Sequence, residues 1–210
     1  DELLKHNIHV FVDKPITDNY QGAKRLVERA EQNGLILMTG FNRRYATSYA
    51  KLKEVISPNM VIVQKNRKGL PGEPRTFIFD DFIHVVDTMR YLFPYPIEEL
   101  IVNGRMVDDM LYHVVVQFIS GGGTCIGIMN RDNGTTEEIS EVMGPLEKRT
   151  VYNVSQLVIS KDMENIEVRS SDWESTLVKR GFEQMVADFV DSVRTKTKPE
   201  ISAWDALQTH

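Results

Sequence analysis

Two short apolar runs separated by an amphipathic stretch constrain this chain more than any other feature. "IHVFV" (8–12) and "LILMTGF" (35–41) have the length and composition of strands, and between them Tyr20, Ala23, Leu26, Val27 and Ala30 recur at helical spacing. Thr17 or Asp18 is placed to cap that helix, and Asn33-Gly34 to end it. A strand, a helix and a strand at this spacing form a βαβ crossover, which needs a parallel sheet and a right-handed connection. The second run is apolar throughout, as expected of a strand covered on both faces. Residues 1–40 therefore read as the C-terminal end of a doubly wound α/β domain, with "DELLKHN" (1–7) as the last turn of a preceding helix.

The pattern then changes. A helix is expected from about Tyr45 to Ile56, a strand at "MVIVQKN" (60–66) and an apolar helix at "DDFIHVVDTMRYLF" (80–93). From there to about residue 172 the chain is strand-rich with short connections, which favours an antiparallel sheet. "STLVKRGFEQMVADFVDSVRT" (175–195) reads as one long amphipathic helix, and a second begins near Ala203. The expected fold class is α/β followed by α+β, an open-faced and mainly antiparallel sheet with helices on one face. Three regions follow: 1–40, 41–173 and 174–210. The incomplete parallel unit and the start without Met read as a fragment lacking most of its first domain.

Composition narrows the function classes. With 25 basic and 30 acidic residues the net charge is −5, and no long basic run suggests nucleic acid as a partner. No apolar segment approaches the ~20 residues of a membrane helix. Cys125, the single cysteine, excludes an intrachain disulfide, so a cytoplasmic location is the default expectation. The glycine run "GGGT" (121–124) lies between two strands and reads as a hairpin turn rather than a phosphate loop.

Three constellations could carry chemistry. Lys14 follows the first strand, at the strand end where open parallel sheets bind ligands, and Pro15 restricts its backbone; an ordinary solvated strand-to-helix turn is the plainer reading. Asp80, His84, Asp87 and Tyr91 recur every three or four residues on one helix face, so Asp80 could orient His84 as a general base. The same pair could simply brace the helix, or Asp80, His84 and Asp87 could hold a metal. Gly40, Arg43 and Arg44 follow the second strand and bring two charges to the same sheet edge as Lys14.

Taken in order, "HVFVDKPIT", "GFNRRYATSY" and "DDFIHVVDTMRYL" resemble the successive motifs of the glucose-fructose oxidoreductase, inositol dehydrogenase and MocA (Gfo/Idh/MocA) family, nearest its inositol dehydrogenase-like and MviM-like oxidoreductases. The resemblance implies a Rossmann domain binding NAD or NADP and a substrate placed against the later sheet. It implies Lys14, Asp80 and His84 as catalytic residues, Asp13, Lys14 and Pro15 beside the cofactor, and Arg43 and less surely Asn66 as substrate contacts; with no other ligand motif beside Asp80, His84 and Asp87, no metal is expected. The reaction implied is hydride transfer between a nicotinamide and a hydroxyl-bearing carbon of a sugar, polyol or derivative. A non-catalytic sensor of nucleotide or sugar on the same fold is the alternative. Apolar side chains on both faces of the later strands suggest a homo-oligomer joined through the sheet.

Overall fold

The computed structural model describes residues 1–171 and 173–210; residue 172, at the expected end of the strand-rich region, lies outside the described residues. Helix α1 (Glu2–Lys5) buries Leu4 and leads into β1 (Val10–Val12). Helix α2 (Tyr20–Gln32) crosses to β2 (Leu37–Thr39), which pairs with β1 in parallel, Phe11 opposite Met38. The cap of α2 is Asn19, not Thr17 or Asp18. Asn19 has extended backbone and its Oδ1 accepts the Gly22 N–H at 2.7 Å, whereas the Thr17 hydroxyl donates to the Asn19 carbonyl. Ala23, Val27 and Ala30 are buried as their spacing predicts, while Tyr20 is exposed.

A 3-10 turn (Asn42–Tyr45) and a short helix α3 (Thr47–Leu52) replace the longer helix expected there. After β3 (Met60–Asn66) the chain forms α4 (Pro74–Thr76), a π-helical turn (Phe77–Phe82) and α5 (Ile83–Leu92). Among the described residues seven strands follow: β4 (Glu99–Val107), β5 (Met110–Ser120), β6 (Gly123–Asn130), β7 (Glu137–Met143), β8 (Lys148–Tyr152), β9 (Gln156–Lys161) and β10 (Glu164–Val168). With β3 they make an eight-stranded sheet in the order β10-β9-β8-β7-β3-β6-β5-β4. The "GGGT" segment turns the β5–β6 hairpin.

Every neighbouring pair in this sheet is antiparallel except β3 and β6. Parallel pairing sends the C-terminal ends of both strands to one edge, where the Arg67 N–H donates to the Asn130 carbonyl at 2.8 Å. Helix α5 lies on the sheet with Val85 and Met89 against Gly127. A Cβ there would sit 3.0 Å from Val85 Cγ1 and collide with Met89 Sδ, so the close approach needs glycine.

The expected helix over 175–195 is broken into α6 (Thr176–Lys179) and α7 (Phe182–Thr195), followed by α8 (Ala203–Thr209). Gly181 makes the break at φ +80°, and its missing Cβ leaves room for the Ala46 backbone N, 2.6 Å from where that carbon would be. The Asn42 side chain donates to the Arg180 carbonyl at 2.8 Å, clipping this corner onto the 3-10 turn. Ile201, Ala206 and Leu207 then share a core with Leu4, Val27 and Leu37, so the last helix packs on the first βαβ unit.

Arg44 is not a ligand-facing charge. Its guanidinium is buried, donates to both Asp87 oxygens (2.9 and 2.6 Å) and to Asp205 (2.5 Å), and sits 5.7 Å from the Tyr91 ring centroid. Asp87 and Tyr91, read from sequence on the His84 stripe, are thus committed to joining α5, α8 and the 3-10 turn. Removing one partner of a buried pair leaves the other charge desolvated and unpaired, at a cost of about 3–5 kcal/mol. We expect Asp87→Ala to lose that much in urea unfolding; a loss below about 1 kcal/mol, the surface-pair range, would contradict the role given to Arg44.

Candidate active site

The strand ends and the π-helical turn meet around two adjoining hollows that share Lys14, Lys65, Arg67 and His84. One, of about 390 Å³, extends toward Lys68, Arg131 and Thr136. The other, of about 280 Å³, is walled by Asp13, Gly40, Asn42, Arg43, Glu138 and Arg180. Both are mainly polar in their lining, which suits a hydroxylated ligand better than an apolar one.

Lys14 leaves the end of β1 after Asp13, whose Oδ1 accepts the Lys14 backbone N–H at 2.8 Å; the Lys14–Pro15 peptide is cis. The Lys14 ammonium is mostly buried and bonds both the carboxylate of Asp80, at 2.9 Å, and its main-chain carbonyl. Asp80 therefore anchors Lys14, and among the described residues no hydrogen bond joins Asp80 to His84. The reason is local geometry. In the π turn the Ile83 N–H reaches back five residues to the Ile78 carbonyl, so four-residue spacing no longer stacks side chains across the junction with α5.

His84 lines both hollows without that carboxylate beneath it. Burial is the main cause that holds its pKa well below 6.5, and Arg43, Lys65, Lys14 and Arg67 add to the effect. The ring is neutral at pH 7, so one ring nitrogen is free to accept a proton.

Sequence reasoning missed the charges that set this environment. Lys65 and Arg67 share Asp81: Lys65 pairs with Oδ1, and Arg67 donates to Oδ2 at 3.1 Å and to Oδ1 at 3.2 Å. Burial opposes the Asp81 charge, yet Arg67 and Lys65 hold its pKa at about 2. Burial, reinforced by Arg43, brings Lys65 down to about 8 although Asp81 and Glu138 pull the other way. The signal was present in "QKNR": side chains two apart on a strand share a face, so Lys65 and Arg67 point together and Asn66 points away.

Asn66, expected at the substrate, is turned into the sheet. Its amide nitrogen donates to Glu137 at 3.1 Å and its oxygen accepts the Asn130 N–H at 3.0 Å, which uses both ends. Arg43 does border the second hollow, but it is buried and donates through Nε and Nη2 to Glu138, the latter at 2.7 Å. Burial works against the Glu138 charge, and Arg43 with Lys65 keeps its pKa below the usual carboxylate range.

Against known proteins, a family described as "Oxidoreductase family, NAD-binding Rossmann fold" (Gfo/Idh/MocA) matches residues 1–41, and "YceM-like, C-terminal domain" matches residues 45–166, more than half of the chain. The chain belongs to the Gfo/Idh/MocA oxidoreductase family. Among Gfo/Idh/MocA relatives it is 30% identical to YceM of Salmonella typhimurium, covering 98% of this chain and 68% of that one. It is 29% identical to the myo-inositol 2-dehydrogenase of Thermotoga maritima, over 48% of this chain and 34% of that one. The crystal structure of a dehydrogenase (MviM) from Clostridium difficile superposes with a TM-score of 0.94 at 26% identity, covering 99% of this chain and 70% of that one. The chain thus spans about two thirds of the length of YceM and of MviM.

The residues present fit one end of the NAD that the family binds. Lys14 and Gly40 follow the C-terminal ends of two parallel strands and open onto one polar hollow, the crevice in which such sheets take dinucleotides. The glycine pattern that cradles the phosphates does not occur in the sequence.

Because the folded chain protonates His84 less readily than an unfolded one, this residue weakens the folded state as pH falls below about 6.5. NMR titration of its ring should find it neutral at pH 6.5. Lys65→Met should raise its pKa by removing a nearby cation; a titration near 6.5 that ignores this substitution would refute the electrostatics described.

Proposed function

We propose that the full-length protein is an NAD(P)-dependent dehydrogenase that oxidises or reduces a hydroxyl-bearing carbon of a sugar, polyol or derivative. The observation that carries this reading is the meeting of Lys14, at the end of β1, with His84 on one polar hollow. When bound, NAD or NADP supplies the hydride acceptor or donor at its nicotinamide ring. His84, held neutral by burial and its cationic neighbours, takes the proton of the substrate hydroxyl. Lys14 stabilises the negative charge that grows on that oxygen, a contribution of the kind worth a few kcal/mol. Asp80 acts through Lys14, holding its ammonium in place. Asp13 and Pro15 set the backbone that carries it toward the cofactor. Arg43 acts as a fixed charge in the wall of the hollow, tied to Glu138.

In the same reading residues 1–40 belong to the dinucleotide-binding domain, 41–173 bind substrate and oligomerise, and 174–210 close the structure. Ile62, Ile126 and Ile128 alternate with the buried side chains of β3 and β6 and remain half-buried, which supports sheet-to-sheet association of two copies.

The test is nicotinamide absorbance with the full-length protein, NAD and NADP each offered inositols, aldoses and sugar acids. Lys14→Ala and His84→Ala should each lower turnover by roughly 10²–10⁴-fold with cofactor affinity changed little. Near-native turnover in either variant would remove its assignment, and tight cofactor binding without any turnover would favour a sensor.

A further inference from the structure

The larger hollow is far more basic than a neutral polyol needs. Lys14, Lys65, Arg67, Lys68 and Arg131 line it against only the carboxylates of Asp80 and Asp81, in a chain whose net charge is −5. Those two acids are already spent, Asp80 on Lys14 and Asp81 on Lys65 and Arg67. Lys68 and Arg131 have no acidic partner among the described residues.

Topology brings these two together. Lys68 follows β3 and Arg131 follows β6, the parallel pair, so both loops open at one edge of the sheet. An isolated bridge joins Lys68 to Asn133, and the Lys68 N–H donates to Thr136 Oγ1 at 3.2 Å. Arg131 is held with its guanidinium 5.1 Å from the Phe77 ring centroid, and its buried Nε has no hydrogen-bond acceptor among the described residues. A buried N–H of a charged group left unsatisfied is costly, and a planar guanidinium fixed against an aromatic ring is pre-organised to receive an oxyanion in its fork.

We propose that Arg131 and Lys68, with Arg67 beside them, form a subsite for an oxyanion carried by the substrate, a carboxylate or a phosphate. The substrate is then an acidic or phosphorylated sugar or polyol, its reacting hydroxyl toward Lys14 and His84 and its anion toward Arg131. This rests on the dehydrogenase reading for the reacting end only.

The experiment is calorimetric titration of the full-length protein, at constant ionic strength, with inorganic phosphate, D-gluconate, D-glucose 6-phosphate and neutral D-glucose. At least one of the three anions should bind saturably, and at least ~10-fold more tightly than glucose. Arg131→Gln and Lys68→Gln should remove that preference, Arg131→Lys should retain part of it, and Arg105→Gln, on exposed β4, should leave it unchanged. The order of gluconate and glucose 6-phosphate distinguishes carboxylate from phosphate. No saturable binding of any anion to the wild-type protein, or a preference that survives in a folded Arg131→Gln variant, overturns the subsite. Nicotinamide absorbance recorded in parallel separates the two readings. Anion binding through Arg131 without turnover of these sugars or of the inositols, aldoses and sugar acids offered with NAD and NADP keeps the subsite and removes the dehydrogenase, and turnover of neutral and anionic substrates alike does the reverse.

Discussion

Two adjacent buried guanidiniums hold this structure in register. Arg43 and Arg44 sit on one 3-10 turn and face opposite ways, Arg43 to Glu138 on β7 and Arg44 to Asp87 on α5 and Asp205 on α8. Buried charges survive only when paired in good geometry. The turn is thereby forced to lie where the large sheet, the helix on it and the closing helix converge, and Gly181 lets the α6–α7 corner approach the same turn. Since the turn follows β2 directly, the end of the parallel unit is fixed against the large sheet by the same contacts.

That convergence creates the electrostatics of the hollow. Arg43 donates to Glu138 and to the Asn42 side-chain oxygen, yet its charge still acts on His84 and Lys65. Asp81 neutralises only part of what Lys65 and Arg67 bring. The result is a neutral imidazole beside ammonium and guanidinium groups, a setting that can accept a proton from a hydroxyl and stabilise the negative oxygen left behind. A single carboxylate-oriented histidine, the arrangement suggested by spacing alone, would hold its proton more tightly than His84 does here.

The π turn shows where periodicity stops being reliable. Spacing by four paired Asp80 with His84, and one extra residue in the turn gave Asp80 to Lys14 and buried Asp81 in its place. At the end of β3, alternation along the extended chain puts Lys65 and Arg67 on one side and Asn66 on the other. The long helix over 175–195 failed for a related reason, because the glycine that breaks it is needed for packing against a segment some 140 residues away. In each case the local pattern was sound and a distant contact chose among its outcomes.

By itself the sequence determined the βαβ unit, the strand-rich body, the glycine hairpin and the position of Lys14 at a parallel strand's end, because these follow from periodicity, capping and turn chemistry within a few residues of each other. The order of strands, the parallel pairing of β3 with β6 and the partner of each charge were decided only by the tertiary structure. Ion pairs between residues such as Arg43 and Glu138, 95 positions apart, leave no periodic trace. Their pairing is selected by the free energy of burying every charge with an opposite one, which is defined only once the chain is folded.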